Sequence, residues 1–261
     1  MFRNALIAAL VAAVASAQIP SDARARKVID EAVAAIGGQK FLAMEDRVES
    51  GRAYSFYREN LTGLSIARIY TRYVTVAPNQ SARELAVRER QSFGKTEDSA
   101  VVFREEGAAN ITWRGAKAIP PEDFARYRDT TLHNIFYILR VRREEPGMTF
   151  EYRGSEVVDH MPVEVVDVVD AENRAVRVYF HQTTKLPVKQ SFSRLDAKTK
   201  DRDEEVTHFD RYRDNKGIQW PQEITRERNG EKIYQIFADS VAFNQDLTDD
   251  LFSITVLPRK K

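Results

Sequence analysis

From residue 148 to residue 242 the chain holds a hydrophobic period of two and interrupts it only with turns. Seven strands are readable, at 149–157, 162–169, 174–182, 187–195, 204–213, 218–228 and 231–242. Between the last two stands Asn229-Gly230, the pair that tolerates the two left-handed positions of a two-residue hairpin. Asp214-Asn215-Lys216-Gly217 predicts a longer hairpin loop. Strands spaced this closely must pair antiparallel with their neighbours, because a parallel pair needs a crossover of about a dozen residues or more. Arginines break the alternation often, so one face of the sheet must stay wet.

The amino-terminal half adds helices to this β frame. Ala25, Val28, Ile29, Ala32, Val33 and Ile36 recur at helical spacing, with Ser21 as the N-cap and Gly37-Gly38 as the stop. A short helical turn follows at 41–44. The period then becomes two. Val48, Ser50, Arg52, Tyr54 and Phe56 share one strand face, Leu64, Ile66, Arg68 and Tyr70 share a face of the next, and 59–63 is the turn between them. Further strands are expected at 84–93, 100–105 and 110–114. Residues 120–143 then break the rhythm. Pro121 suits the first helical position, Glu122 and Asp123 suit the positive end of the dipole, and Leu132, Ile135, Phe136 and Leu139 stand at i, i+3, i+4 and i+7. Two short helices meeting near 129–131 are expected. The fold class is therefore α+β, mainly antiparallel β, with a central helical insertion. No Pro/Gly/Ser linker divides it, so residues 18–261 are expected to form one domain.

Residues 1–17 carry the pattern of an export signal. Arg3 precedes a short run of Ala, Leu, Ile and Val, and Ala15-Ser16-Ala17 offers a small–x–small cleavage site. The run is too short to span a bilayer, which takes about 20 residues, so cleavage and a periplasmic destination are expected, without stable membrane insertion. The chain of 261 residues has 40 Lys+Arg against 39 Asp+Glu. Removing residues 1–17 takes away one base, Arg3, and no acid, which leaves the remainder formally neutral. A neutral protein has no electrostatic attraction for a polyanion, which argues against nucleic acid as a partner. The absence of cysteine rules out disulfides, a catalytic thiol, thiolate metal sites and a cysteine-linked lipid anchor.

Catalytic patterns are not legible. Gly63-Leu64-Ser65-Ile66-Ala67 lacks the final glycine of a nucleophile elbow and falls within a strand. His133, His160, His181 and His208 show no metal-ligand spacing. The acidic groups at 201–205 and 246–250 lack the glycine and terminal glutamate of a calcium loop. In the second group Asp246 or Thr248 would cap a turn before Leu251 and Phe252. No catalytic residue, metal or cofactor is therefore assigned. The large apolar residues gather instead around the helical insertion, at Trp113, Phe124, Leu132, Phe136 and Leu139. Helices laid over a curved sheet either seal a solid core or cover a cavity for an apolar ligand.

Several stretches resemble the outer-membrane lipoprotein-sorting family, the LolA/LolB-like lipoprotein carriers and receptors. They are the first helix with VIDEAVAAIGG at 28–38, the strand RVESGRAYSF at 47–56 and an Arg-Glu strand at 87–93. To these add WRGAKAIPPEDF at 113–124, YRDNKGIQWPQEI at 212–224 and the closing DSVAFNQDLTDDLFSI at 239–254. The resemblance implies a curved, incomplete β-barrel wrapped around an N-terminal helix and the central insertion, with an apolar cavity between them.

By that resemblance the chain is expected to be a periplasmic, non-enzymatic binding protein for a lipid or an acylated lipoprotein, with an envelope protein as a further partner. Tyr54, Phe56, Ile66 and Tyr70 would form part of the cavity wall. Trp113, Leu132, Ile135, Phe136 and Leu139 would form the opposing lid. Two other readings stay open: an envelope sensory or interaction module whose cavity is filled by side chains, and a hydrolase with dispersed carboxylates, recognisable by two acids converging in a cleft with shifted pKa values.

Overall fold

The computed structural model describes residues 21–75, 85–105, 107–195 and 200–254. The expected export signal lies outside them, as does part of the polar connection at 196–202. Two helices, α1 (Ser21–Ile36) and α2 (Gln39–Leu42), precede six strands. These are β1 (Asp46–Tyr57), β2 (Asn60–Tyr73), β3 (Val87–Phe93), β4 (Ser99–Phe103), β5 (Ala108–Thr112) and β6 (Gly115–Ala118). The insertion consists of α3 (Pro121–Leu132), α4 (Ile135–Tyr137) and a π-helical turn, Ile138–Arg142. Seven strands complete the chain: β7 (Thr149–Val158), β8 (Met161–Val169), β9 (Ala175–His181), β10 (Pro187–Leu195), β11 (Arg202–Asn215), β12 (Ile218–Arg228) and β13 (Glu231–Phe243). A 3₁₀ turn, Asp249–Phe252, follows.

All 13 strands form one open antiparallel sheet in the order β6-β5-β4-β3-β2-β1-β13-β12-β11-β10-β9-β8-β7. The order describes two meanders, β1–β6 and β7–β13, joined where the first strand pairs with the last. This is the expected curved, incomplete barrel. Its two edges, β6 and β7, do not pair with each other. The sequence stopped one strand short in the first meander, because Gly115–Ala118 is only four residues long and has no alternation to read.

The first helix behaves as its periodicity demands. Ala25, Val28, Ile29, Ala32, Val33 and Ile36 are all buried, and α1 packs on β7, β8 and β12. Gly37 ends it against the β11–β12 hairpin, where an added Cβ would stand 2.7 Å from the Gly217 carbonyl oxygen. That hairpin is tighter than expected: the strands run to Asn215 and from Ile218, leaving Lys216 and Gly217 (φ 57° and 91°) as a two-residue loop. The Asn229-Gly230 hairpin has the expected left-handed pair, at φ 51° and 79°.

The seam between β1 and β13 is unusually close. The register shifts between Ser50 and Gly51, and a Cβ on Gly51 would lie 2.0 Å from the Phe237 carbonyl oxygen and 2.8 Å from the Ala238 Cα. Both obstacles are backbone, so neither can rotate aside. Gly51→Ala is expected to destabilise the protein by about 2–3 kcal/mol, the range of an overpacked interior, as a lower urea midpoint with an unchanged slope.

The helical insertion is fixed by polar groups that its apolar pattern does not reveal. The break falls at His133-Asn134, not near 129–131, because Asn134 caps α4: its Oδ1 accepts the N–H groups of Phe136 at 3.0 Å and Tyr137 at 3.2 Å. From β10, the buried Gln190 bridges the break. Its amide oxygen accepts the Ile135 N–H at 2.9 Å and its nitrogen donates to the His133 carbonyl at 3.2 Å. Beyond the π turn, buried Arg142 donates to the Leu132 carbonyl at 3.1 Å and to Asp170 at 2.8 Å, and Arg174 donates to the same Asp170 oxygen at 2.7 Å.

Burial by itself would raise the Asp170 carboxyl, but the hydrogen bonds and charges of Arg142 and Arg174 hold it below the usual carboxylate range. A carboxyl depressed in the folded state stabilises fully above its unfolded value, about 3.9, and loses that contribution as pH falls through the folded one. Asp170→Asn is expected to cost about 2–3 kcal/mol at pH 7, since it removes the charge that Arg142 and Arg174 share and leaves buried Arg142 with Glu145 alone. The gap from the parent protein narrows as pH falls below about 4, as urea unfolding at pH 7 and at pH 3 would show.

Candidate binding cavity

A cavity of about 440 Å³ lies between the insertion and the sheet, directly under the seam. Its roof is α3 and α4, through Asp123, Arg126, Tyr127, Thr130, Thr131, Asn134, Phe136 and Tyr137. Its floor is the inner face of the strands on either side of the β1–β13 junction. Arg47 and Glu49 come from β1, Ile69, Thr71 and Tyr73 from β2, and Val87, Glu89 and Gln91 from β3. Beyond the seam stand Glu205 and Phe209 of β11, Trp220, Ile224, Arg226 and Arg228 of β12, and Ile233, Tyr234 and Ile236 of β13.

The roof is tied down at both ends. The Tyr137 hydroxyl accepts the Ala86 N–H at 2.8 Å, and burial pushes that phenol up to about 12. The Tyr127 ring stacks on Phe103 of β4, with centroids 3.7 Å apart. Phe136 points the other way, edge-on to Phe209 at 5.2 Å and beside Trp220 at 4.5 Å. These three rings make the apolar end of the cavity.

Of the nine residues expected to line a cavity, Phe136 alone is among the lining residues. Ile135 and Leu139 are buried in the main core with α1, and Leu132 in a smaller cluster with Leu85, Ala86 and Val87. They anchor the roof without facing the space beneath it. Trp113 sits in the β5–β6 turn, 44% exposed, with the Arg114 guanidinium 4.8 Å over its ring.

Tyr54, Phe56, Ile66 and Tyr70 are not cavity residues. Tyr54 pairs with Leu64, Arg52 with Ile66, and Val48 with Tyr70, so the expected sets do share a face. The cavity face is the alternate one, carrying Arg47, Glu49, Ile69 and Thr71. Tyr54 meets Phe237 edge-on at 5.7 Å on the opposite face, and the Tyr70 hydroxyl donates to Glu97 there. Along the seam the inner face holds Gly51, Ala53 and Ala67, small and buried. In β1 hydrophobicity therefore reads as if the strand were inverted: Tyr54 and Phe56 are outside, and Arg47, Glu49, Gly51 and Ala53 are inside. On the outer face the carboxy-terminal turn covers part of β2–β5, with Phe252 buried against Val102, Ala109 and Ile111, as the Leu-Phe pair foretold.

The charges of the cavity were not foreseen. Arg47 forms an ion pair with Glu49 at 2.5 Å, donates to Thr71 at 3.1 Å and lies 4.3 Å over the Trp220 ring. Glu205 accepts from Arg194 and, at 3.5 Å, from Arg228. Glu89 stands deep among protein atoms, though its surface faces the cavity. Burial raises its carboxyl, outweighing the Gln91 hydrogen bond at 2.6 Å and the charges of Arg47 and Arg226. A filled, vestigial cavity is thereby replaced by an open one, and an apolar cavity by one of mixed character. Four acids line this space, Glu49, Glu89, Asp123 and Glu205, but Glu49 is taken up by Arg47 and Glu205 by Arg194 and Arg228.

A carboxyl raised by folding favours the folded state when protonated, and that advantage disappears as pH rises from the ordinary glutamate value through the raised one. Glu89→Gln, which keeps the neutral shape, is expected to unfold at a higher urea midpoint than the parent at pH 7. At pH 3, where both states of the parent are protonated, the two midpoints converge.

No protein-family model matches the chain, and no curated protein matches it in sequence. Solved structures do. An outer membrane lipoprotein-sorting protein domain from Vibrio parahaemolyticus superposes with a TM-score of 0.57 at 11% identity, over 88% of this chain and 97% of that one. A DUF1329 family protein from Desulfovibrio piger gives a TM-score of 0.58 at 12% identity, with 88% and 97% covered. The fold is that of the lipoprotein-sorting proteins. At such identities the likeness is one of architecture, and a shared fold does not fix what a cavity takes.

Proposed function

We propose that this chain is a periplasmic carrier in the bacterial envelope, holding one lipid-like molecule or lipoprotein acyl group between its helical insertion and its sheet without acting on it chemically. The observation that carries the reading is the cavity itself. About 440 Å³ falls within the ~300–1,000 Å³ of small-molecule sites, and Phe136, Phe209 and Trp220 give it an aromatic end suited to a hydrocarbon chain. The lipoprotein-sorting fold of the Vibrio domain supports an acyl group as the occupant. Residues 18–261 act as one unit in this reading. Among the described residues no helix is long and apolar enough to cross a membrane.

The reading is tested by extracting the purified protein for mass spectrometry and by titrating it with a fluorescent fatty acid. Recovery of a co-purified lipid and saturable uptake are expected. Ile69→Trp fills the cavity floor and is expected to weaken uptake at least about tenfold at unchanged helix and sheet content. Failure to extract or take up any lipid would sink the proposal.

A second reading, an interaction module, is favoured by a different surface. The β1–β2 hairpin leaves Leu61, Leu64 and Ile66 exposed, at 55%, 60% and 45%, beside Tyr54 and Phe56 on the face away from the cavity. An apolar outer hairpin is suited to an envelope protein partner and is compatible with a loaded cavity.

A further inference from the structure

Strand β12 lines the cavity from end to end, with Trp220 at one end and Arg226 and Arg228 at the other. Trp220 is 2% exposed, and its Nε1–H has no hydrogen-bond partner among the described residues. The Nε–H groups of Arg226 and Arg228, on the same strand, are likewise buried without a partner. All three atoms can only donate. No described carboxylate lies within ion-pair distance of Arg226, whose guanidinium instead stands 5.9 Å over the Tyr234 ring. The carboxylates that face the same space are otherwise engaged. Arg47 holds Glu49, Arg194 and Arg228 share Glu205, and burial favours the neutral form of Glu89. Asp123 stands exposed on the roof, on the same helix as Arg126.

Leaving buried N–H groups unanswered costs about 1–3 kcal/mol each, and more for charged ones. Arg226 and Arg228 stand two apart on β12 and share a face, whereas Trp220 lies about 20 Å along the strand, so a negative headgroup meets the two guanidinium groups and not the indole. We propose that the cavity selects amphiphiles with a single anionic headgroup, a carboxylate or a phosphate. The headgroup is received by Arg226 with Arg228, and the chain runs along Phe209 and Phe136 toward Trp220. This rests on the carrier reading and specifies the class of its cargo. It also assigns the unpaired arginine a binding task that the neutral overall charge of the chain conceals.

The test is displacement of neutral N-phenyl-1-naphthylamine by four dodecyl compounds, dodecanoate, dodecyl phosphate, dodecanol and dodecylammonium, each below its micellar concentration. At least one anion is expected to bind about tenfold or more tightly than dodecanol, with dodecylammonium weakest; which anion leads tells carboxylate from phosphate. Arg226→Gln is expected to bring the anions to within about threefold of dodecanol while leaving dodecanol itself unchanged. Arg228→Gln is expected to lower anion affinity without moving dodecanol. If dodecanol matches both anions while the reporter is bound and displaced, the inference fails and the carrier reading stands. If the anions keep their advantage in both variants, Arg226 and Arg228 are not the headgroup site and the inference fails. If neither the reporter nor any dodecyl compound binds, the carrier reading fails and the inference goes with it.

Discussion

Everything that makes a site in this protein depends on the pairing of its first strand with its last. β1 and β13 are separated by almost the whole chain, yet their backbones approach so closely that Gly51 has no room for a Cβ against Phe237 and Ala238. Without that seam the chain would be two independent meanders of six and seven strands, each with extra open edges. With it, strands from both meanders share one curved inner face. The cavity sits on the junction and draws on β1–β3 from one side and β11–β13 from the other. A closure between such distant segments is costly in chain entropy, and it is compensated by a continuous ladder of hydrogen bonds through the middle of the sheet.

The helical insertion depends on that surface and on its own polar fastenings. Asn134 and Gln190 fix where the helix breaks, Arg142 and Asp170 fix where it ends, and Tyr137 holds it to the β3 side. Each is a buried or half-buried polar contact with its partner in place, the condition under which such groups specify one arrangement instead of weakening the core. The apolar residues Leu132, Ile135 and Leu139 supply the burial, and the polar ones supply the register. The result is a roof suspended over the sheet with space beneath it.

Periodicity recovered the fold well because most of its elements are local. α1 announces itself by six apolar residues on one stripe, and the second meander by alternating strands with hairpin residues between them. The cavity was legible only in outline. Phe136 was found because it belongs to the apolar stripe of the insertion. Tyr54, Phe56, Ile66 and Tyr70 were placed together correctly but on the wrong side of the sheet, because alternation says which residues share a face and not which face turns inward. The inner residues carry the opposite of the usual signal. Gly51, Ala53 and Ala67 are small because the seam is tight, and Arg47, Glu49, Glu89 and Arg226 are charged because they border a cavity and not a packed core.

By itself the amino-acid sequence determined an antiparallel β frame with one leading helix and one helical interruption, and no thiol chemistry of any kind. These are properties of local pattern and composition, settled by periods of two and 3.6 residues, by turn residues and by the absence of cysteine. Only the tertiary structure decided that the two meanders join at β1 and β13, that the bulky strand face looks outward, and that arginines from distant strands meet under one roof. The physical reason is that curvature and strand pairing across 179 to 196 residues, from Ser55–Tyr234 to Arg47–Phe243, assign inside and outside, and they bring donors and carboxylates into one enclosed space. There burial and charge pairing decide which groups remain available to a guest.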